Sequence, residues 1–214
     1  MLVKNLSVGP IETNCYILCD ETAKKAAVID PGFEAEKILE ELGRTGCSAE
    51  YVILTHGHFD HISAAGQVAG ETGAKLAAFA EEEDFIKDPA ANLSSGFGKG
   101  IFKPLEPDIL VRDGETLALG SMTLRFLLTP GHTGGSGCIL CGDCLFTGDT
   151  LFRGGAGRTD FPTGDYPSLI KSLRRLASLK GDYRVYPGHG GITSLNAERR
   201  SNPYLAEGSD DTVF

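Results

Sequence analysis

Short runs of apolar residues, separated by turns rich in glycine, proline and acidic side chains, make up most of the chain. Runs of this kind predict β-strands, and in the first half they lie at residues 2–8, 15–19, 26–29, 51–54 and 75–79. Apolar positions three and four residues apart predict a helix over residues 34–42, ended by Gly43, and a second helix over about residues 61–72. This alternation of strand and helix is typical of a sheet that helices cover on one face.

The second half of the chain repeats this organisation. Strands are predicted over residues 109–111, 116–119, 122–128 and 183–186, with a hairpin of 138–141 and 144–147 that turns at Gly142 and Asp143. Pro167 stands in the first turn of a predicted amphipathic helix, whose apolar face carries Leu169, Ile170, Leu173, Leu176 and Leu179. Two similar halves predict an α/β (α+β) chain with a single domain over residues 1–214. Its expected form is a four-layer αββα sandwich, with two sheets face to face and helices outside.

Residues 81–107 form the longest stretch without apolar periodicity, and they are rich in glycine, serine, asparagine and proline. Long segments of this kind are often functional. Two interpretations are therefore open, a loop that covers the substrate and an excursion over the surface.

Composition and charge narrow the range of partners. Of the 214 residues, 41% are hydrophobic and 23% are charged, as in ordinary globular proteins. The formal net charge of −9 argues against a nucleic-acid partner and against an anionic membrane surface, because both require concentrated Lys and Arg. We therefore expect a small-molecule substrate, no nucleic acid and no membrane, and a monomer or homodimer.

The start of the chain and its cysteines bear on the compartment. Residues 1–6 have no long apolar stretch behind a basic head, and no later segment approaches a membrane span, so we expect a cytoplasmic protein. A cytosolic chain of this size keeps its thiols reduced, so the six cysteines are expected to be free. The spacing Cys138-x-x-Cys141-x-x-Cys144 is interpreted in the same way, as thiols of strand and turn rather than ligands of a cluster.

All five histidines follow predicted strands, and three of them fall within six residues, in the run Thr55-His56-Gly57-His58-Phe59-Asp60-His61. His132 and His189 each close a Pro-Gly-His triplet, and Asp149 follows Gly148 at the end of another predicted strand. Small and turn-forming residues at these exits let the backbone approach a shared centre. Neutral imidazole and carboxylate are the usual ligands of zinc and related first-row metals, so the sequence predicts a metal site along one edge of the sandwich.

The spacing of these residues predicts two metal ions. Residues two apart in an extended loop face the same way, as His56 and His58 do, whereas the adjacent Asp60 and His61 face differently and can serve a second ion. One more imidazole completes each set, and the two oxygens of Asp149 can bridge the ions. The first set is His56, His58 and His132, and the second set is Asp60, His61 and His189.

These motifs, in this order along the chain, resemble those of the metallo-β-lactamase superfamily. The resemblance rests on residues 55–61 and on the runs Thr129-Pro130-Gly131-His132-Thr133, Thr147-Gly148-Asp149-Thr150-Leu151-Phe152 and Pro187-Gly188-His189. Three further runs are similar to those of single-domain glyoxalase II-like hydrolases, namely Asn14-Cys15-Tyr16-Ile17, Gly157-Arg158-Thr159-Asp160-Phe161 and Asn202-Pro203-Tyr204-Leu205. The resemblance implies the αββα fold and a hydrolytic site with two metal ions. Zinc is the first expectation, with iron or manganese as the alternatives.

The activity implied by this resemblance is hydrolysis of thioesters, such as S-D-lactoylglutathione or a related acyl thiol, by a metal-bridging hydroxide. Asp149 and Asp60 are then the catalytic candidates, the first bridging the metals and the second orienting the hydroxide. Arg158 is a candidate contact for a substrate carboxylate, or else the partner of Asp160 in a buried ion pair. Phe152 and Phe161 are interpreted as loop packing rather than as substrate contacts.

Two other functions stay open. The Gly-Arg-Thr-Asp-Phe run is also similar to that of iron-dependent persulfide dioxygenases, and this resemblance implies a single iron held by His56, His132 and Asp149. The third interpretation is a non-enzymatic zinc-binding module. Structural zinc sites are closed and rich in cysteine, whereas these ligands stand at loop ends with room for water. Metal identity and number distinguish the two enzymes, since hydrolysis calls for two zinc-like ions and oxygenation for one ferrous ion.

Overall fold

The computed structural model describes residues 1–97 and 104–206, and the first half of the chain forms a six-stranded sheet. β1 to β3 pair antiparallel, and β3 to β6 pair in parallel. Parallel pairs need crossover connections, which the helices of this half supply. In sheet order the strands are β1 (Leu2–Val8), β2 (Thr13–Asp20), β3 (Lys25–Ile29), β4 (Ser48–Ile53), β5 (Lys75–Phe79) and β6 (Ile109–Val111). The helices are α1 (Ala35–Thr45), α2 (Phe59–Ile62), α3 (Ala65–Thr72) and α4 (Glu83–Lys87).

The second half forms another six-stranded sheet. Its strands are β7 (Thr116–Leu119), β8 (Met122–Leu128), β9 (Gly137–Cys141), β10 (Cys144–Gly148), β13 (Arg184–Pro187) and β14 (Thr193–Ser194), while β11 (Leu151–Phe152) and β12 (Gly155–Ala156) form a separate ribbon. The order is β14-β13-β10-β9-β8-β7, in which β10 and β13 are parallel and the other pairs antiparallel. The helices are α5 (Tyr166–Ala177), α6 (Leu195–Ser201) and α7 (Pro203–Ala206). Pro167 lies in the first turn of α5, as predicted.

Both sheets are covered on their outer faces. All eight residues of β2 are buried, because one face of the strand packs on the second sheet and the other on helices. Tyr16 points between the sheets, where its ring lies 5.4 Å from that of Phe146. The next residue, Ile17, lies on the opposite face in a cluster with Ile38 of α1, and Leu173 of α5 belongs to a third cluster outside the second sheet. Helix, sheet, sheet and helix thus form four layers, which confirms the αββα sandwich.

The structure corrects both predicted helices of the first half. α1 continues to Thr45 rather than ending at Gly43, because Gly43 stays helical and Gly46 takes the left-handed conformation, with φ of 68°, that ends the helix. The single helix predicted over about 61–72 is in fact two helices. Ala64 lies between them, and its N–H donates to two carbonyls in the loop after β3, a tertiary contact that no local pattern reveals.

The segment 81–107, expected to be irregular, contains short helices. A 3-10 turn over Ala80–Glu82 leads into α4, and a second 3-10 turn covers Ser94–Phe97. Each is shorter than two turns, so no apolar periodicity can develop. Residues 98–103 of this segment lie outside the described residues, as do residues 207–214 of the predicted domain.

The six cysteines are all free, as predicted, and the structure shows that all six are buried. Burial raises the pKa of the Cys138 and Cys144 thiols to about 11, which disfavours the thiolate form that metals bind. The three cysteines of the Cys138-x-x-Cys141-x-x-Cys144 run lie on β9 and β10, at the two sides of the predicted hairpin turn. In the part of the chain that the structure describes, the helices are too short or too polar to cross a membrane.

Candidate metal centre

Four strand ends bring histidine and aspartate side chains together at one edge of the sandwich. The loop after β4 carries His56 and His58, and α2 carries Asp60 and His61. The loops after β8, β10 and β13 carry His132, Asp149 and His189. The His189 side chain is 26% exposed, and the other six residues are buried. All seven predicted ligands therefore lie in one cluster.

Three imidazoles form the first part of the cluster. The ligand atoms of His56, His58 and His132 lie within 4.8 Å of one another. Nδ1 of His58 is 2.9 Å from Nε2 of His132, so these two side chains face each other with different ring nitrogens. The grouping is the one that the sequence spacing predicts for a first metal ion.

A mixed set of aspartate and histidine forms the second part. Oδ2 of Asp60 is 3.2 Å from Nε2 of both His61 and His189. Asp149 stands between the two parts, because its Oδ1 is 3.3 Å from Nε2 of His61 and its Oδ2 is 3.5 Å from Nε2 of His132. A carboxylate that bridges two ions needs this kind of position.

Hydrogen bonds behind the cluster set the orientation of two histidines. Nδ1 of His61 donates to Oδ2 of Asp30 at 3.0 Å. Thr55 donates its hydroxyl to the same carboxylate at 2.6 Å, so it accepts from Nδ1 of His56 at 3.1 Å. Both imidazoles therefore present Nε2 towards the cluster.

His132 and Asp60 are also held from behind. Nδ1 of His132 donates to the backbone carbonyl of Arg158 at 2.8 Å, and the hydroxyl of Thr13 donates to Oδ2 of Asp60 at 2.8 Å. Sequence reasoning missed Thr13, for which the pattern holds no signal. It also treated Asp30 only as a turn residue, although an aspartate directly after a buried strand is the signal that marks the predicted ligands.

The cluster fits metal ions because it leaves buried ligand atoms without hydrogen bonds. Among the described residues, Nε2 of His56, of His58 and of His61 and Oδ1 of Asp149 are buried and have no hydrogen-bond partner. Buried polar atoms without hydrogen-bond partners are costly, and a cation held among them would compensate for that cost. The donors are imidazole and carboxylate without thiolate, a set that suits zinc, iron or manganese.

Electrostatics keep the aspartates of the cluster ionised. Burial opposes the charge on Asp60 and Asp149, but His61 and the other neighbouring histidines together outweigh it and lower the pKa of both carboxyls. Burial, with the neighbouring imidazoles, lowers the pKa of His56 and brings that of His58 to about 3. The opposite holds for His61, where the surrounding carboxylates outweigh burial and raise the pKa. A bound metal ion would supply the positive charge that the raised pKa gives to His61.

Gly188 leaves no room for a side chain beside the cluster, since a Cβ atom there would overlap Oδ1 of Asp149 and lie 2.7 Å from Cε1 of His61. We expect Gly188→Ala to displace the Asp149 carboxylate and to lower the affinity for zinc at least about tenfold. In Gly70→Ala, the matched control, the new Cβ meets nothing within 4 Å, so zinc affinity should not change. Titration with zinc against a competing chelator measures both, and equal affinity in the two variants would contradict the prediction.

A cleft of about 510 Å³ opens onto the cluster. The ring of Phe161 lies 5.8 Å from that of His58, and the ring of Phe152 lies 6.1 Å from that of His189, so one aromatic side chain stands beside each part of the cluster. Both side chains line the cleft, and their interpretation as loop packing rather than as substrate contacts stays a prediction. The other lining residues are Ile11, Phe59, Asp60, Leu93, His132, Asp149, Ala156 and Arg158.

Arg158 lies at the edge of this cleft. Its Nε and Nη2 donate to the two carboxylate oxygens of Asp160, each at 2.6 Å. The expected burial of this ion pair was wrong, because the two side chains are 57% and 64% exposed. The guanidinium carbon also lies 3.9 Å from the ring centre of Phe161. Arg158 thus brings to the cleft a positive charge that Asp160 partly neutralises.

The αββα fold and the cluster of histidine and aspartate ligands agree with the comparison with known protein families. The chain belongs to the metallo-beta-lactamase superfamily, whose family profile matches residues 8–189. Hydroxyacylglutathione hydrolase GloC of Haemophilus influenzae is 36% identical over 209 residues, which cover 96% of this chain and 98% of the relative.

Two solved structures are also similar. ETHE1 from Myxococcus xanthus is 32% identical with a TM-score of 0.82, over 98% of this chain and 86% of that one. TTHA1623, solved in a di-iron-bound form, is 34% identical with a TM-score of 0.83. The match covers 94% of this chain and 100% of that chain.

Proposed function

We propose that this chain hydrolyses thioesters of the S-D-lactoylglutathione type with the help of two metal ions. The observation that carries the proposal is the position of Asp149, whose two oxygens face the ligand atoms of both parts of the cluster. Family membership and the grouped ligands support a metal-dependent hydrolase. The similarity to a hydroxyacylglutathione hydrolase supports a thioester substrate.

The ligands divide between the two ions as the sequence suggests. Ions bound there would polarise a substrate carbonyl and acidify a water molecule, which is the chemistry that a hydrolase needs at neutral pH. We propose zinc, with iron and manganese as alternatives that the same donors suit. One ion would be held by His56, His58 and His132 and the other by Asp60, His61 and His189, with Asp149 shared.

The proton balance of the site favours a thioester. Asp60 and Asp149 have lowered pKa values, so both are ionised and neither can give a proton to a leaving group. An ionised Asp60 can accept a hydrogen bond and thereby orient the attacking water. A thiol, with an ordinary pKa of about 8.5, leaves as thiolate without a proton donor, whereas an alcohol or an amine does not.

The cleft suits a small acyl thiol. Its volume falls within the range of roughly 300–1,000 Å³ that is usual for small-molecule sites. Phe152 and Phe161 offer apolar walls, and Arg158 offers a positive charge for a carboxylate of the thiol carrier. These features suit a small-molecule substrate.

We also propose no nucleic-acid or membrane partner, action in the cytoplasm, and a monomer or homodimer.

Two variants test the contact with the thiol carrier. Arg158→Ala is expected to raise KM for S-D-lactoylglutathione about three- to tenfold with kcat unchanged, because it removes binding that is equal in ground state and transition state. Asp160→Asn is expected to lower KM, since it frees the guanidinium from its ion pair. Initial rates over a range of substrate concentrations measure both, and a KM shared by the two variants and the unmodified protein would rule out the contact.

Oxidation of a persulfide at a single iron is the second candidate. It is favoured by the run of residues 157–161 and by the structural similarity to ETHE1. Its three ligands would be His56, His132 and Asp149, which belong to the same cluster. The donor set therefore does not separate the two functions, and the reaction itself must.

Parallel assays of the metal-loaded protein separate them. One follows loss of the thioester of S-D-lactoylglutathione, and the other follows consumption of oxygen in the presence of a small persulfide. We expect thioester loss without oxygen consumption. Oxygen consumption without thioester loss would overturn the hydrolase and establish the second candidate.

A further inference from the structure

Glu82 is a buried carboxylate that the proposed reaction does not use. It ends the 3-10 turn after β5 and is only 1% exposed. A buried carboxylate is costly unless hydrogen bonds compensate for its lost hydration. Such a residue therefore calls for an explanation in terms of its partners.

The partners of Glu82 come from two separate loops. Oε2 accepts a hydrogen bond from the N–H of Gly57 at 2.7 Å. Oε1 accepts from the hydroxyl of Thr133 and from the N–H of Gly135, each at 2.8 Å. Gly57 lies between His56 and His58 in the sequence, and Thr133 directly follows His132. One carboxylate thus joins the two loops that supply the first three imidazoles.

Both loops lie tightly against this turn of the chain. A Cβ atom on Gly57 would come within 2.7 Å of Cδ1 of Phe85, and one on Gly135 would come within 2.7 Å of the carbonyl carbon of Glu81. The side chain of Glu82 joins these two loops in addition to the hydrogen bond from the N–H of Gly137 to the carbonyl of Thr55.

The result of this arrangement is the close approach of the imidazoles. Nδ1 of His58 and Nε2 of His132 are 2.9 Å apart, although they come from loops 74 positions apart in the sequence. We propose that Glu82 is a positioning residue that holds the His58 loop and the His132 loop at the distance that the first metal ion requires. Glu82 does not line the cleft, so it acts through these loops and not on the substrate.

The ionisation of Glu82 agrees with this view. Burial raises the pKa of its carboxyl to about 7, even though the hydroxyl of Thr133 and the two backbone N–H groups pull the value down. Three donors thus converge on a side chain whose charge burial disfavours.

Glu82→Gln tests the inference, because it keeps the shape but turns an NH₂ group towards a donor. Zinc affinity is measured by titration against a competing chelator, and cobalt-loaded protein is examined by visible absorption, which reports the ligand geometry. We expect the affinity for one of two ions to fall about 10- to 100-fold, with a changed cobalt spectrum, lower kcat and unchanged KM. Glu81→Gln is the matched control, since Glu81 lies in the same turn but is exposed, and it should behave as the unmodified protein.

Several results would overturn the inference. One is unchanged affinity for both ions in folded Glu82→Gln protein, and another is an equal loss of affinity in Glu81→Gln. If Glu82→Gln does not fold, Thr133→Val removes one of the three donors and should still weaken one ion, and no weakening there counts against the inference. The inference rests on the metal site of the proposed function, but metal affinity is measured without turnover. A chain that binds two ions and hydrolyses no thioester would refute the proposed function and leave the role of Glu82 standing.

Discussion

Asp149→Ala is expected to lower the rate of thioester hydrolysis at least about a thousandfold, which corresponds to about 4 kcal/mol of transition-state stabilisation. The reason is its position, with Oδ1 at 3.3 Å from His61 and Oδ2 at 3.5 Å from His132. Without this carboxylate, less negative charge lies between the two parts of the cluster to hold metal ions. Metal content should therefore fall together with activity, and both can be measured on the same preparation.

The matched control for this variant is Asp143→Ala. Asp143 precedes β10 and Asp149 follows it, so the two aspartates stand at opposite ends of one strand. Asp143 is exposed and lies outside the cluster, and its replacement should leave hydrolysis and metal content unchanged. Full activity in Asp149→Ala, or an equal loss in both variants, would contradict the assignment.

Removal of the metal ions by a chelator is expected to lower Tm by roughly 8–16 °C for each ion lost. An ion present at 1,000 times its Kd stabilises the folded state by about 4 kcal/mol. In a chain of this size, 1 kcal/mol corresponds to about 2–4 °C. The chelated protein keeps buried polar atoms of the cluster without hydrogen-bond partners, and this cost adds to the loss.

Thermal unfolding with and without chelator measures this shift. Restoring zinc should restore Tm in the unmodified protein and should do so less in Asp149→Ala, which keeps the fold but lacks a shared ligand. A Tm that is the same with and without chelator would show that the cluster does not hold structural or catalytic ions under these conditions.

The ligands of the cluster could be predicted because each follows a buried strand within a few residues. His132 and His189 close Pro-Gly-His triplets directly after β8 and β13, and Asp149 directly follows β10. Local sequence is enough to place such residues at one edge of a sandwich. It was also enough to group His56 with His58, since alternation along an extended segment is a local property.

The residues behind the ligands could not be predicted in this way. Asp30 reaches His61 across 31 positions, and Glu82 reaches Gly135 across 53. Such contacts exist only after the loops of separate strands have met. The residues that line the cleft could not be predicted for the same reason. By sequence, Phe161 and Leu93 are ordinary loop residues, and only the fold places them beside the cluster.

The ends of the helices were also hard to predict from the sequence. Gly43 and Gly46 are equally good helix terminators by sequence, and the structure uses the second. The break at Ala64 depends on carbonyls in the loop after β3. Layer order, by contrast, was predictable, because two similar halves of strands and helices, with one apolar face on the helix that follows Pro167, leave few other arrangements.

Hydrolysis by two metal ions can be tested by returning zinc stepwise to chelator-treated protein. The loss of S-D-lactoylglutathione is followed at each zinc level. The account predicts that the rate reaches its maximum at two ions per chain and stays at background in Asp149→Ala at every zinc level. Absence of thioester hydrolysis at two bound ions would contradict it. Full activity at one ion per chain would equally contradict a bridge between two.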